Sequence, residues 1–214
     1  MTSAAPLVST PRRLAIIGTA GRDKAMPMTA ELWAEMVQDA AGRVHAQDTL
    51  ISGGAAWADH LAVHLFLEGQ CARLELYLPA PFEGRFMGPG GSSATAANYY
   101  HERFTAVIGV DTLGQIGRAI NDGAVVHAQP AMAGYRGMFA RNTLVAKAAD
   151  AVLAYTFGHV VATDSGTGNT WKQVVGEKTH VSLSRLAEGI GIADAQAPAA
   201  PARRRFGMER RAGG

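Results

Sequence analysis

Short apolar runs alternate with amphipathic stretches along most of this 214-residue chain. Arg13–Ile17 predicts a buried strand, cut off by Gly18-Thr19-Ala20-Gly21. Thr29 is an N-cap candidate for a helix in which Leu32, Trp33, Met36, Val37 and Ala40 recur at helical spacing. Thr49–Ser52 predicts a second strand, stopped by Gly53-Gly54, and a helix carrying Leu61, Val63, Leu65 and Phe66 runs from there to Gly69. Leu74–Leu78 is a third strand, ended by Pro79 and Pro81. Strand and helix therefore repeat at the spacing of βαβ units. The strands are continuous apolar runs, as expected of parallel strands buried on both faces.

The pattern loosens over residues 82–137, which contain Gly88–Ser93, helical stretches near Ala94–Ile108 and Leu113–Ile120, and an apolar run Ala124–Ala128. It resumes with a helix Met138–Ala149, a strand Ala151–Tyr155, a loop His159–Gly168, a helix from Asn169 to about Gly176 and a strand Thr179–Leu183. The fold expected is α/β: a Rossmann-like three-layer sandwich with a mostly parallel sheet and a helical insertion at about 82–137. It occupies 12–188 as one domain, between a flexible stretch 1–11 and a disordered basic tail 189–214. No internal repeat is visible.

Composition narrows the partners. Apolar residues make up 48%, enough for a buried core, and the formal charge is +2. The tail concentrates Arg203, Arg204, Arg205, Arg210 and Arg211 against Glu209, so the sequence pI near 8.9 describes the tail and the body is close to neutral. A basic domain surface for nucleic acid is not indicated, and the tail offers only weak, salt-sensitive contact. Cys71 is the single cysteine, which excludes an intramolecular disulfide and fits a reducing compartment. No run approaches the ~18 apolar residues of a membrane span. The apolar part of the N-terminus is too short for a secretory signal, so a cytoplasmic protein without a membrane partner is expected.

In an open parallel sheet the ligand site lies beyond the carboxyl ends of the strands, where the strand order reverses. Three predicted strands end in small-residue loops followed by helices, which aims unpaired N–H groups and positive helix ends at an anion. The first loop offers Gly18, Thr19, Gly21 and Arg22. It matches neither the dinucleotide fingerprint nor a Walker A loop, and a plain tight turn with a solvated arginine is the alternative. The second, Ser52-Gly53-Gly54-Ala55-Ala56-Trp57-Ala58-Asp59-His60, offers Ser52, Gly53 and Gly54. Asp59 either complements the helix dipole or faces the ligand as hydroxyl acceptor or base. The third, Asp164-Ser165-Gly166-Thr167-Gly168-Asn169-Thr170, offers Ser165, Gly166, Thr167, Gly168, Asn169 and Thr170, with Arg141 and Asn142, opening the preceding helix, adding a cation and an amide; an ordinary flexible loop is the alternative.

Within the insertion, Asn98-Tyr99-Tyr100-His101-Glu102-Arg103-Phe104 presents a second cluster. One reading stacks a base there and uses Glu102 as nucleophile or general base. The other is an amphipathic helix with Tyr100, Phe104 and Ile108 facing the core and Glu102 in solvent. His101, His127 and His159 lack metal-ligand spacing, so neither metal nor cofactor is expected.

Ser52-Gly53-Gly54-Ala55-Ala56-Trp57-Ala58-Asp59-His60 resembles the S-G-G-A-x-G-x-D segment of the Rossmann-like SLOG superfamily, which includes the DNA-processing protein DprA and the LOG phosphoribohydrolases. Arg141-Asn142, then Gly166-Thr167 opening a helix, is similar to its second half, R-N followed by G-G-x-G-T. The resemblance spans about 13–80 and 138–183 and implies a nucleotide or nucleotide-sugar site at Gly18–Gly21, Ser52–Gly54, Arg141 and Gly166–Thr170. Two positions depart from it. Trp57 replaces a small residue, and Thr170 stands where LOG hydrolases place a catalytic Glu.

Three functions are therefore expected in order. The first binds a nucleotide-like small molecule and extends to N-glycosidic hydrolysis of a nucleoside monophosphate, with Glu102 or Asp59 at the anomeric carbon. The second is a non-catalytic sensor or sequestering protein, and the third a DprA-like DNA-handling protein. A homo-oligomer is expected.

Overall fold

In a computed structural model of the chain, the described residues are 11–23, 27–127 and 135–192. The basic arginines of the tail lie outside them. Six parallel strands form one sheet: β1 (Arg13–Gly18), β2 (Thr49–Ser52), β3 (Arg73–Leu76), β4 (Val125–Val126), β5 (Ala151–Thr156) and β6 (Glu177–Ser182). Their order is β4-β3-β2-β1-β5-β6. The chain thus builds outward from β1 in one direction and returns to lay β5 on its other side, which makes β1/β5 the switch point.

Alternate strand residues feed two cores. Leu14, Ile16, Leu50, Leu74, Leu153 and Tyr155 pack with α1 (Ala30–Ala41), α2 (His60–Leu67), α3 (Ser93–Ile108), α4 (Thr112–Asn121) and α7 (Leu183–Gly189). Ala15, Ile17, Ile51, Val152 and Ala154 face α5 (Tyr135–Ala148) and α6 (Gly166–Gln173). Helices on both faces of a parallel sheet make the expected three-layer α/β sandwich. Thr29 caps α1 as its sequence implies, its hydroxyl accepting from the Leu32 N–H at 3.2 Å. Cys71 is buried and its thiol pKa is pushed up to about 11 by burial, so it packs as a small hydrophobe.

Several elements differ from expectation. Residues 82–127 are more than a helical insertion, because they carry β4, which adds a strand to β3 after the α3–α4 crossover. β4 falls within the apolar run Ala124–Ala128, but with only two residues, both exposed, it is too short to read as a strand. The helix α6 begins at Gly166, three residues before its predicted start, because Ser165 supplies an N-cap, its Oγ accepting from Gly168 N–H at 2.9 Å. The helix α5 begins at Tyr135, which puts Arg141 and Asn142 inside it, not at its opening. The helix α7 follows β6 with no intervening loop, burying Leu183 and Ala187.

Candidate functional site

The three small-residue loops meet at the carboxyl ends of β1, β2 and β5 and are joined by hydrogen bonds. The Thr19 N–H donates to Tyr155 O at 2.9 Å, and Ala58 N–H donates to Thr19 O at 3.2 Å. Thr167 Oγ1, in the first turn of α6, donates to Gly18 O at 2.9 Å. Together they enclose a cleft of about 310 Å³. Its polar lining includes Arg22, Asp59, Arg141, Asn142, Asp164 and Ser165, and its apolar lining includes Ile17, Met138, Phe139 and Val145. That volume is at the low end of the ~300–1,000 Å³ typical of small-molecule sites.

Arg141 dominates the cleft. It is only 8% exposed. One terminal nitrogen donates to Gly53 O at 2.9 Å and the other to Asn142 Oδ1 at 3.0 Å. Asn142 Nδ2 in turn donates to Gly166 O at 3.0 Å, fixing α5 against the start of α6. The third donor, Nε of Arg141, is buried and has no hydrogen-bond partner among the described residues. Burial lowers the pKa of Arg141, the charge of Arg22 lowers it further, and Asp59 opposes both. A guanidinium nevertheless stays charged. An unpaired buried donor costs free energy, and this one lies beside Gly53, where a Cβ would stand 3.1 Å from it, in the cleft that the first turn of α6 also lines.

Asp59 is 6% exposed and ends a 3₁₀ turn, Trp57–Asp59. Burial raises its pKa, opposed by Arg141 and by hydrogen bonds from the backbone of Ala55, Gly18 and Gly53. Its carboxyl therefore gathers the backbone of the first two loops. Gly53 is where Asp59 and Arg141 close in: a Cβ there would lie 2.7 Å from Asp59 Oδ2 and 2.9 Å from Arg141 Cζ.

Of the residues expected at the site, Gly18, Arg22, Gly53, Asp59, Arg141, Asn142, Ser165, Gly166, Thr167 and Thr170 line the cleft. The others support it from behind. Ser52 Oγ donates to Asp59 O at 2.8 Å and accepts from Gly54 N–H at 3.0 Å. Thr19 Oγ1 accepts from Gly21 N–H at 3.1 Å. Gly54 packs on Leu78, and Gly168 packs tightly against the carbonyl of Ala162. Asn169 turns along α6, where its oxygens accept from Gln173 Nε2.

Glu102 lies apart from the cleft, as in the amphipathic-helix reading of its segment. It is exposed on α3 and lines a separate groove with Arg85, Met87 and Tyr99. Helical periodicity decides this, because Phe104, two positions on, turns fully into the core and leaves Glu102 on the opposite face.

Sequence reasoning missed Met138, Phe139 and Val145, which carry no motif and reach the cleft only through the packing of α5, while Asp164, the first residue of the third loop, also lines it. The contacts of His101, named only within the second cluster, were not legible either. That ring is fully buried, with Nδ1 3.0 Å from Thr112 Oγ1 and Nε2 3.2 Å from Gly54 O, so it supports the second loop from α3.

Trp57 gains a physical account. Its φ is +63°, the left-handed region that favours glycine, and the resembling motif has Gly at this position. The indole sits on Gly21, where a Cβ would lie 2.5 Å from its Nε1, and packs on Phe104 with ring centroids 4.2 Å apart. Gly21, at φ +72°, is required both by that contact and by its conformation. Among the described residues no group of three or more His, Cys, Asp or Glu is placed to hold a metal ion, and no helix is long and apolar enough to cross a membrane.

Compared with known proteins, the chain is 35% identical over 183 residues to uncharacterized protein R261 of Acanthamoeba polyphaga mimivirus, a match covering 80% of this chain and 96% of that one. Among solved structures it is similar to DNA processing protein A of Helicobacter pylori, described for its single-stranded DNA binding mode. The TM-score is 0.50 at 16% identity, covering 86% of this chain and 74% of that one. At that identity the likeness speaks for the fold alone, a parallel α/β sheet. No family model matches the chain.

Proposed function

We propose a function from the site itself, because the chain belongs to the family of uncharacterized protein R261 of Acanthamoeba polyphaga mimivirus, a name that assigns no activity. The cleft at the β1/β5 switch point binds the phosphate of a nucleoside-monophosphate-sized ligand and holds it without cleaving it. The observation that carries this reading is the buried Nε of Arg141, a charged donor without a partner among the described residues, in a cleft that also receives the N-terminus of α6. Ile17, Met138, Phe139 and Val145 give the rest of the ligand an apolar wall. Two residues speak against hydrolysis. Thr170, 2% exposed in the cleft wall, offers a hydroxyl where the related hydrolases carry a carboxylate, and Asp59 is engaged with loop backbone.

The test is thermal stabilisation and calorimetry with AMP, GMP, CMP and UMP, followed by chromatography with protein in excess. At least one nucleotide stabilises the wild type by mass action and is recovered intact. Arg141→Gln weakens that binding by about 10- to 100-fold, the range for losing a charge-assisted hydrogen bond. Absence of binding by all four defeats the reading, and release of free base converts it to the N-glycosidase reading.

The fold-level likeness to a single-stranded DNA-binding protein supports a second reading, in which the phosphate belongs to nucleic acid. It predicts that a single-stranded oligonucleotide displaces a bound mononucleotide from the wild type and fails to bind Arg141→Gln.

A further inference from the structure

We propose that Tyr100 is a positioning residue for the ligand's anion: its ring holds Arg22 at the cleft opposite Arg141, so that two guanidiniums close on one phosphate. This inference rests on the phosphate-binding reading above. Arg22 Cζ lies 4.8 Å from the centroid of the Tyr100 ring, within the range of a cation–π contact, while Arg22 also lines the cleft. Tyr100 is itself fixed. It stands on α3, is partly buried against the core that includes Phe104, and meets Tyr99 edge-on at 5.2 Å.

The backbone leading to Arg22 is fixed from the other side. Gly21 lies against the Trp57 indole, and Ala58 donates to Thr19 O. The arginine is thus anchored at its base by the second loop and at its head by α3. A long flexible side chain loses rotamer freedom when it closes on a ligand, and a ring that already holds the guanidinium lowers that cost.

The second cation also has a physical reason to be there. Arg22 is close enough to Arg141 for its charge to disfavour the protonated form of Arg141. Two like charges facing one cleft repel, and an anion between them turns the repulsion into attraction for both. Asp59 acts on Arg141 more strongly than Arg22 does and keeps it charged, while its carboxyl is also engaged with the backbone of Ala55, Gly18 and Gly53. Tyr100 belongs to the segment connecting β3 to β4, so this assignment gives that segment a part in ligand binding that Glu102 does not supply.

A double-mutant cycle on the full chain, read by calorimetry with AMP, GMP, CMP and UMP, tests the proposal. Tyr100→Ala weakens nucleotide binding by about 3- to 10-fold, as loss of a partly exposed cation–π contact predicts. Tyr100→Phe, which keeps the ring face, binds within about twofold of the wild type. In an Arg22→Ala background, Tyr100→Ala costs nothing further. A merely structural tyrosine would give the same loss in both backgrounds, and that result overturns the proposal. So does an unchanged affinity in Tyr100→Ala. Should Tyr100→Ala fail to fold, Tyr100→Leu and Tyr100→Phe carry the cycle, with melting temperatures without ligand as the control. Nucleotide binding that Arg141→Gln abolishes and Tyr100 variants leave intact defeats this inference alone, whereas absence of binding in the wild type defeats both.

Discussion

Gly53 and Trp57 show how narrowly single residues set this cleft. A methyl group at Gly53 enters the space where Asp59 Oδ2 and Arg141 Cζ already approach, so one of the two must retreat. Gly53→Ala is expected to cost about 1–3 kcal/mol of stability, the range for overpacking. It should also lower nucleotide affinity by more than its stability loss explains, because Arg141 donates to Gly53 O. Denaturant titration beside calorimetry separates the two effects, and unchanged affinity would contradict the placement of Arg141. Trp57 runs the opposite way. A non-glycine residue in the left-handed region costs roughly 1–2 kcal/mol, and the buried indole offsets it through Phe104, Gly21 and Trp33, whose ring meets it edge-on at 6.3 Å. The sequence marks Trp57 as a departure from a motif. Its backbone angle and its role as the floor of the first loop appear only in three dimensions.

At the scale of elements, α6 shapes one end of the cleft. Ser165 Oγ both donates to Ala162 O at 2.8 Å and accepts from Gly168 N–H, so it closes the loop and starts the helix at once. Ser165→Ala is expected to destabilise the protein by about 1 kcal/mol, as for other lost N-caps. Thermal unfolding checks this, and an unchanged melting temperature would mean that the cap is redundant. The early start of α6 also brings Thr167 into its first turn, where the hydroxyl reaches back to Gly18 O. The helix α3 divides its duties by face. Phe104 fills the core, His101 holds Gly54 O, Tyr100 meets Arg22, and Glu102 stays in solvent. The 3.6-residue period made Phe104 legible as core, but which neighbour each other face would meet was not.

Across the whole molecule, the second loop, α2, α3 and α4 share a buried histidine pair that makes stability depend on pH. The rings of His60 and His101 lie 5.5 Å apart, and both residues are fully buried. Burial lowers their pKa values from 6.5 to about 3 and about 4 respectively; Gln115 partly opposes this at His60, and Gly54 and Asp111 at His101. Groups held neutral in the fold contribute stability that is fully present above pH ~6.5 and is lost as pH falls through the folded values. The full loss approaches roughly 5 kcal/mol for His60 and roughly 3 kcal/mol for His101. Urea midpoints at pH 7, 5 and 4 should fall steadily, and a profile flat over that range would contradict the burial of the pair. Acidification should also loosen Gly54, and with it the second loop, before the sheet opens.

The apolar runs determined most of the architecture in advance. Strands buried on both faces must be continuously hydrophobic, so β1, β2, β3 and β5 stand out against their surroundings, and the loops that end β1 and β2 follow from the glycines there. The motif pairing Ser52–Asp59 with Arg141-Asn142 contributes Asp59, Arg141 and Asn142 to one cleft. What only the tertiary structure decided is which side chains share that cleft. Arg141 owes its orphaned donor to the burial of α5 against the second loop, Tyr100 meets Arg22 across about eighty residues of chain, and Glu102 lines a separate groove on the solvent face of α3. Periodicity reports how a residue faces its own element, whereas a site is made where elements from distant parts of the chain pack together, and that juxtaposition has no local signal.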